Sequence, residues 1–432
     1  MNKLALSDKL TPLQLEHARR CISSAQSVAI ITHQNPDGDA MGSSLAMRHF
    51  LSALGKQVTN IVPTSFPDFL AWLPGVEAIV QYEQDPEAAA QALRDADLVI
   101  CTDIAEPGRV AALSDILAER FSAYESSQTA CQDGENARNN GTNADNNGTN
   151  ADNASLLIID HHLSSVCSNH PEQIAYPDSA SASELVFRLV YQIVQDNRAV
   201  IEGTSSQCRE CFEPILDNTR DHHATISLRH YNIDVPFDAI LTPDFATCIY
   251  TGMMTDTGNF SYNSCEPEMY TIVAMLLTTG INKDAIYNRV FNAYTADRLR
   301  MIGYCLYHKM KVFPEYHTAL ITLNRREMYR FNAKSGDMEG IVNMPLQIKD
   351  VYYSVFMRED KIPPHQKPEA GDAKVKAKIS FRSQGDRPVN SLAREVFRGG
   401  GHMNASGGEF FGDVDEAAKK FIEVMPKYMR KE

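Results

Sequence analysis

The sequence predicts an α/β protein. An N-terminal parallel-sheet domain with helices on both faces is followed by a smaller C-terminal α/β domain across a cleft. Three observations carry this. Four short apolar runs, at 27–33, 57–63, 98–103 and 155–162, lack apolar–polar alternation and read as strands buried on both faces. Helical patterns at 40–55 and 85–97 separate them, and strand–helix alternation implies a parallel sheet with right-handed crossovers. From about residue 312 the texture changes to alternating strands at 317–325, 351–360 and 375–384. A chain of 432 residues is long for one domain, and its 43% hydrophobic content supplies material for two cores.

Taken in order, residues 1–294 form the first domain, 295–314 a linking helix and 315–432 the second domain. Two stretches interrupt the first domain. Residues 123–154 hold a near-repeat, GTNADNN then GTNADNA, with almost no apolar side chains to offset ordering entropy, and are expected to be disordered. Residues 197–235 are expected to be a polar insertion with little helical or strand period. It carries Cys208 and Cys211, and His222 and His223 further on. The stretch lacks the apolar residues that would pack a zinc knuckle, so it reads as solvent-exposed. Beyond it, 245–264 is apolar and then turns at Asp256-Thr257-Gly258, and 265–309 reads as two or three helices. Residues 391–410 read as a helix, a glycine loop and a strand.

No apolar run approaches the roughly 20 residues needed to span a bilayer. The first twenty residues lack the pattern of a secretory signal, so a cytoplasmic protein without a membrane partner is expected. A net charge of −14 argues against wrapping long duplex nucleic acid and leaves room for a short nucleotide held by a few local cations. Nine scattered cysteines make no disulfide framework.

In an open parallel sheet, ligands collect at the carboxyl ends of the strands. Three of the four runs end there in His33, in Asp103 and in Asp160-His161-His162. His33 is followed closely by Asp37 and Asp39, with Pro36 and Gly38 shaping a tight turn. Taken alone, that stretch reads equally well as an acidic turn. Asp103, Asp160, His161, His162 and Asp256 shift the balance. So many carboxylates and imidazoles would be unstable as an empty cluster and make sense as a cage for two divalent cations. Carboxylates and imidazoles without thiolate suit manganese, magnesium or another first-row metal. Two such ions about 4 Å apart are the usual clamp for phosphate-ester hydrolysis.

The stretches HQNPDGDA (33–40), CTD (101–103), IIDHH (158–162) and TDTG (255–258), in that order, resemble the four motifs of the DHH phosphoesterases. GGGHMNASGG (399–408), with ISFRS (379–383) before it, resembles the associated DHHA1 domain. The size is most like the bifunctional oligoribonuclease/pAp phosphatases. The resemblance implies that His33 and Asp37 hold one Mn²⁺, that Asp39, His161 and Asp256 hold the other, and that Asp103 bridges both. Asp160 would orient a neighbouring imidazole, and His162 would face the scissile phosphate as donor or general acid.

In the second domain, Gly399, Gly400 and Gly401 can bring backbone N–H groups close to a phosphate, with Arg382, Ser383 and His402 beside them. The implied activity is two-metal hydrolysis of short RNA or linear dinucleotides to mononucleotides, and of 3′-phosphoadenosine 5′-phosphate (pAp) to AMP. Single-stranded DNA ends, pyrophosphate and polyphosphate are alternative substrates of the same site. The resemblance leaves a homodimer open, since members of the family often form one, and the sequence itself shows no self-complementary surface. A second triplet, Asp221-His222-His223, has no apolar strand before it and is expected to play no part.

Overall fold

Strand β1 (Ser27–Ile31) is buried over four of its five residues, and its side chains alternate between two apolar layers. Val28 and Ile30 face one cluster, while Ala29 and Ile31 face the other. The same division holds along β4 (Leu98–Thr102) and β5 (Ser155–Asp160), which is why these runs lack polar alternation. This is a computed structural model. It describes residues 6–104, 107–122, 155–162, 172–201, 225–228, 233–236, 240–334, 336–362, 375–401 and 403–429.

The chain divides into two units, Met1–Asn292 and Ala293–Glu432. In the first, β1, β2 (Gln57–Val62), β3 (Val80–Gln81), β4, β5 and β6 (Gln173–Ala175) form a wholly parallel sheet in the order β3-β2-β1-β4-β5-β6. Edge strands β3 and β6 are two and three residues long, too short to leave a periodic signal in the sequence. One face is covered by α1 (Pro12–Ser24), α2 (Gly38–Ala53), α5 (Ala182–Ile201), α6 (Pro243–Asp256), α7 (Pro267–Thr278) and α8 (Lys283–Phe291). The other is covered by α3 (Pro86–Asp95), the 3₁₀ turn Pro107–Leu113 and α4 (114–122).

The order reverses between β1 and β4, whose neighbours were laid down in opposite directions from β1. A crevice opens at the carboxyl ends of the strands at such a point. Both strands stop there, and His33 and Asp103 follow them.

Helix α2 starts at Asp37, whose Oδ1 accepts the N–H groups of Asp39 and Ala40. It packs on α6 through glycines. A Cβ on Gly42 would lie 2.5 Å from the carbonyl oxygen of Cys248 and 2.9 Å from the nitrogen of Gly252. A Cβ on Gly252 would lie 1.9 Å from Ser183 Oγ. The segment 245–264 is thus mostly a helix, and it brings Asp256 to the site from a helix end, where the sequence shows only an apolar run and a turn.

The polar insertion expected at 197–235 needs correction at both ends. Helix α5 continues to Ile201, and β7 (Thr225–Leu228) pairs antiparallel with β8 (Ile233–Pro236). Thr225, Ile226, Ile233 and Val235 are β-branched and fit a pleated ribbon too short to show as a period. The second triplet is therefore followed closely by a strand, although residues 221–223 themselves, Cys208, Cys211 and the expected disordered stretch 123–154 lie outside the described residues. Among the described residues, no helix is long and apolar enough to cross a membrane.

The second unit has a mixed sheet in the order β13-β14-β12-β11-β10-β9. Its strands are β9 (Lys311–Phe313), β10 (Thr318–Leu323), β11 (Tyr353–Lys361), β12 (Val375–Ser383), β13 (Gly400–Gly401) and β14 (Ala405–Phe411). Only β10–β11 is parallel. Helices α11 (Asn390–Val396) and α12 (Val414–Tyr428) pack on one face. The helix expected at 295–314 to link the domains is α9 (Ala296–Tyr304). Its Met301 and Ile302 are buried with Cys305, Ile321, Leu323, Ile341 and Phe356, so it belongs to this unit's core. Helix α10 (Arg325–Arg330) follows β10.

Candidate metal centre

The motif side chains meet at the switch point. Three groups of ligand atoms lie within 4.8 Å of one another: His33–Asp37–Asp103, Asp39–His161–Asp256 and Asp103–His161–His162. Asp103 is common to the first and third. Its Oδ2 lies 3.2 Å from His33 Nε2, while its Oδ1 lies 3.6 Å from His161 Nε2 and 3.4 Å from His162 Nδ1. One carboxylate therefore turns an oxygen toward each imidazole cluster. Asp103 adopts a left-handed backbone (φ 60°), a sparsely populated region for a side chain and one seen at sites held by their surroundings.

Each ligand is fixed by a different local device. His33 Nδ1–H donates to the carbonyl of Gln34 at 2.9 Å, which turns Nε2 toward Asp103. Asp39 is 1% exposed and sits against the start of α5. The Ala182 N–H donates to its Oδ2 at 2.7 Å and the Ser183 N–H to its Oδ1 at 2.9 Å. Two helix N-terminal amides thus hold a carboxylate that sequence reading links only to its own turn. The signal that could have found it is Ser181-Ala182-Ser183-Glu184, a capping pattern: Glu184 N–H donates to Ser181 Oγ at 3.1 Å, and Ala180 N–H donates to Glu184 Oε2 at 2.8 Å.

Asp160 is fully buried. Its Oδ1 accepts the backbone N–H of His161 at 2.9 Å and the Nδ1–H of His162 at 2.7 Å. Both contacts run to the two histidines of the motif. Asp256 closes the cluster from the end of α6, with its Oδ2 3.6 Å from His161 Nε2.

One nearby residue was missed. Arg109, in the 3₁₀ turn after β4, has its Nη1 3.4 Å from the Asp103 carbonyl and 3.4 Å from His162 Nε2. Its own carbonyl accepts the Gln34 N–H at 2.9 Å. A lone Arg six residues past a motif carries no spacing signal.

The electrostatics fit a cation cage. Burial raises Asp39, Asp103 adds to this, and His161 opposes it, leaving Asp39 at about 6. Desolvation within the cluster lifts Asp256 above the usual carboxylate range, although 31% of its side chain still meets solvent, with His161 opposing and Asp39 and Asp37 reinforcing. Burial would lower His161, but Asp256, Asp103 and Asp39 outweigh it and push the imidazole up to about 9. In Asp103, burial is overcome by His33, His162 and His161, which hold its carboxyl well below the usual range. Asp103 Oδ1 is buried without a hydrogen-bond partner. Protons thus take the part of positive charge among crowded oxygens, and a hard divalent cation meets the same need with this donor set.

The sign of the resulting pH dependence follows. His161 binds its proton more tightly folded than unfolded. Without a bound cation its contribution to stability is full below pH 6.5 and is lost as pH rises through about 9. Cation binding must displace that proton. The metal-free protein is therefore expected to melt at progressively lower temperature from pH 6.5 to 9. Mn²⁺ should reverse the trend and release protons, read by calorimetry in buffers of different ionisation enthalpy. A melting temperature indifferent to both pH and Mn²⁺ would refute the assignment.

In the second unit, Arg382 lies on β12 opposite Ala405 of β14, and Gly401 pairs with Ser406 on the next strand, so one sheet end gathers them. The expected glycine loop is in part the short strand β13. A Cβ on Gly399 would lie 1.8 Å from the Gly407 carbonyl oxygen and one on Gly401 2.7 Å from that of Ala405, so strand pairing requires these glycines. Space beside Gly400 is open. The Ser383 hydroxyl donates inward to the carbonyl of Arg387. Arg382 Nη1–H donates to the Phe381 carbonyl at 2.9 Å. His402 lies outside the described residues.

Residues 27–211 match the N-terminal domain of the DHH family. The chain is 25% identical over 399 residues, 92% of its own length and 89% of the relative's, to the bifunctional oligoribonuclease and PAP phosphatase NrnA of Thermus thermophilus. The crystal structure of an exopolyphosphatase-related protein from Bacteroides fragilis is 36% identical, covers 98% of both chains and superposes with a TM-score of 0.71. Together with the four motifs at one sheet edge, these likenesses show that the chain belongs to the DHH family of phosphoesterases.

Proposed function

We propose that the protein is a Mn²⁺-dependent phosphohydrolase that cuts short oligoribonucleotides and linear dinucleotides to mononucleotides and converts pAp to AMP. The observation that carries this reading is Asp103, whose two carboxylate oxygens face different imidazole clusters 3.2 and 3.6 Å away. His33 and Asp37 would hold one cation, Asp39, His161 and Asp256 the other, with Asp103 shared. When bound, the pair supplies charge neutralisation for the phosphoryl oxygens and acidifies water at neutral pH.

The side chains do the rest. The helix amides on Asp39 and the carbonyl on His33 Nδ1 set ligand direction. Asp160 accepts from Nδ1 of His162 and orients the ring, which leaves Nε2 as the nitrogen that would give a proton to the leaving oxygen. In the second unit, Arg382 and Gly400 would offer a phosphate a guanidinium and an open backbone N–H.

The Thermus relative, by its name, acts on oligoribonucleotides and PAP, and its likeness spans nearly the whole chain. The Bacteroides relative is described as exopolyphosphatase-related, which favours a second reading, polyphosphate. Purified protein with Mn²⁺ should be assayed against pAp, pApA, RNA of about two to twenty-four nucleotides, single-stranded DNA, pyrophosphate and polyphosphate. Rates are expected to fall steeply with RNA length, and pAp is expected to be hydrolysed. A length-independent rate, or hydrolysis of polyphosphate alone, would overturn the nucleotide reading.

A further inference from the structure

Arg109 is held by its main chain and extended by its side chain. Its carbonyl accepts the Gln34 N–H, which ties it to the loop leaving β1, beside His33. Its guanidinium reaches to Asp103 and His162, both at 3.4 Å. That separation is long for a hydrogen bond, so both contacts are cheap to exchange for a better acceptor. Arg109 has no carboxylate partner among the described residues. An arginine that reaches the backbone of Asp103 would ordinarily pair with a carboxylate close by. It points instead at His162 Nε2, a group that Asp160 already holds from the other side. The guanidinium and the imidazole come from different segments and meet through one long contact, and a phosphate oxygen beside them would offer Arg109 a better acceptor than the ring nitrogen it faces now.

From this we infer that Arg109 and His162 together receive a phosphoryl oxygen, and that Arg109 sets the preference for a terminal phosphomonoester over an internal phosphodiester. The inference rests on the phosphohydrolase reading and deepens it. A terminal monoester has three non-bridging oxygens and about two negative charges at neutral pH, whereas a diester has two oxygens and one charge. Two oxygens suffice for the cation clusters in either substrate. The third exists only in the monoester, and Arg109 is the cation on this chain placed to meet it. Its planar fork also fits a tetrahedral anion better than the point charge of a lysine. The alternative role is structural: the guanidinium props the Asp103 carbonyl in its left-handed conformation. That role serves every substrate and the metal ligands alike.

The test compares wild type, Arg109→Gln and Arg109→Lys on pAp and pApA, with bound Mn²⁺ measured by elemental analysis and folding by thermal melting. For Arg109→Gln, kcat/KM on pAp is expected to fall by about 100-fold and on pApA by no more than about 3-fold, with Mn²⁺ content unchanged. Arg109→Lys should recover part of the loss. Equal losses on the two substrates, or loss of Mn²⁺, would assign Arg109 the structural role and overturn the inference. A second readout does not depend on turnover: binding of inorganic phosphate to the Mn²⁺-loaded protein, followed by calorimetry, is expected to weaken by about 10-fold or more in Arg109→Gln. Unchanged phosphate affinity would also sink the proposal. If wild type hydrolyses neither nucleotide, the phosphohydrolase reading fails, and the phosphate arm still decides whether Arg109 is an anion receptor.

Discussion

Asp103→Ala is expected to lower kcat/KM by on the order of 1,000-fold or more, and to cut the bound Mn²⁺ sharply. Asp103 is the carboxylate common to both sides of the site. Its removal takes an oxygen from His33's cluster and another from His161's, and leaves His33 without the carboxylate 3.2 Å from its Nε2. Steady-state kinetics on pAp, with elemental analysis, reads both effects. The matched control is Asp221→Ala, in the second Asp-His-His. It is expected to keep wild-type turnover, because no apolar run precedes that triplet in the sequence and the strand that follows it, β7, pairs antiparallel with β8. Equal losses in the two variants would mean that the wrong triplet has been placed in the site.

The second large effect is on stability. Gly42→Ala is expected to destabilise the first unit by about 3 kcal/mol and lower its Tm by roughly 5–10 °C, read by calorimetry. The added methyl meets backbone, 2.5 Å from a carbonyl oxygen and 2.9 Å from an amide nitrogen, neither of which can rotate away. The helices must separate, and α6 carries Asp256. The same variant should therefore bind Mn²⁺ more weakly, although residue 42 is no ligand. Gly55→Ala is the contrast: the position is open, and only its left-handed backbone (φ 76°) resists the change, at about 1 kcal/mol. If the two variants melt together, the close α2–α6 seam is not a determinant of stability.

The central sheet was legible because burial on both faces removes alternation, and because a parallel sheet delivers each polar strand end to the same edge. The four apolar runs are β1, β2, β4 and β5, and the motif residues assembled from them lie in contact. What was not legible has physical causes. Edge strands β3 and β6 are too short for any period to register. The ribbon β7–β8 is hidden in polar surroundings. Asp39's anchor on α5 joins residues 143 and 144 positions apart, and no local pattern encodes such a distance. Arg109 is brought to the cluster by a turn, and a turn's direction depends on the whole sheet. The second unit was read as strands and a glycine loop, yet Gly399 and Gly401 are glycines first because neighbouring strands leave no room for a side chain.

A parallel sheet has an entering edge and a leaving edge, and the cluster of carboxylates and imidazoles is on the leaving one, with Arg109 beside it. The asparagine-rich stretch 123–154 joins α4 to Ser155, where β5 enters. From there to His161 is six residues of extended chain, about 20 Å at the usual rise of a strand. A reporter or affinity tag spliced just before Ser155 is therefore expected to lengthen the protein without altering the reach of Asp160, His161 or His162.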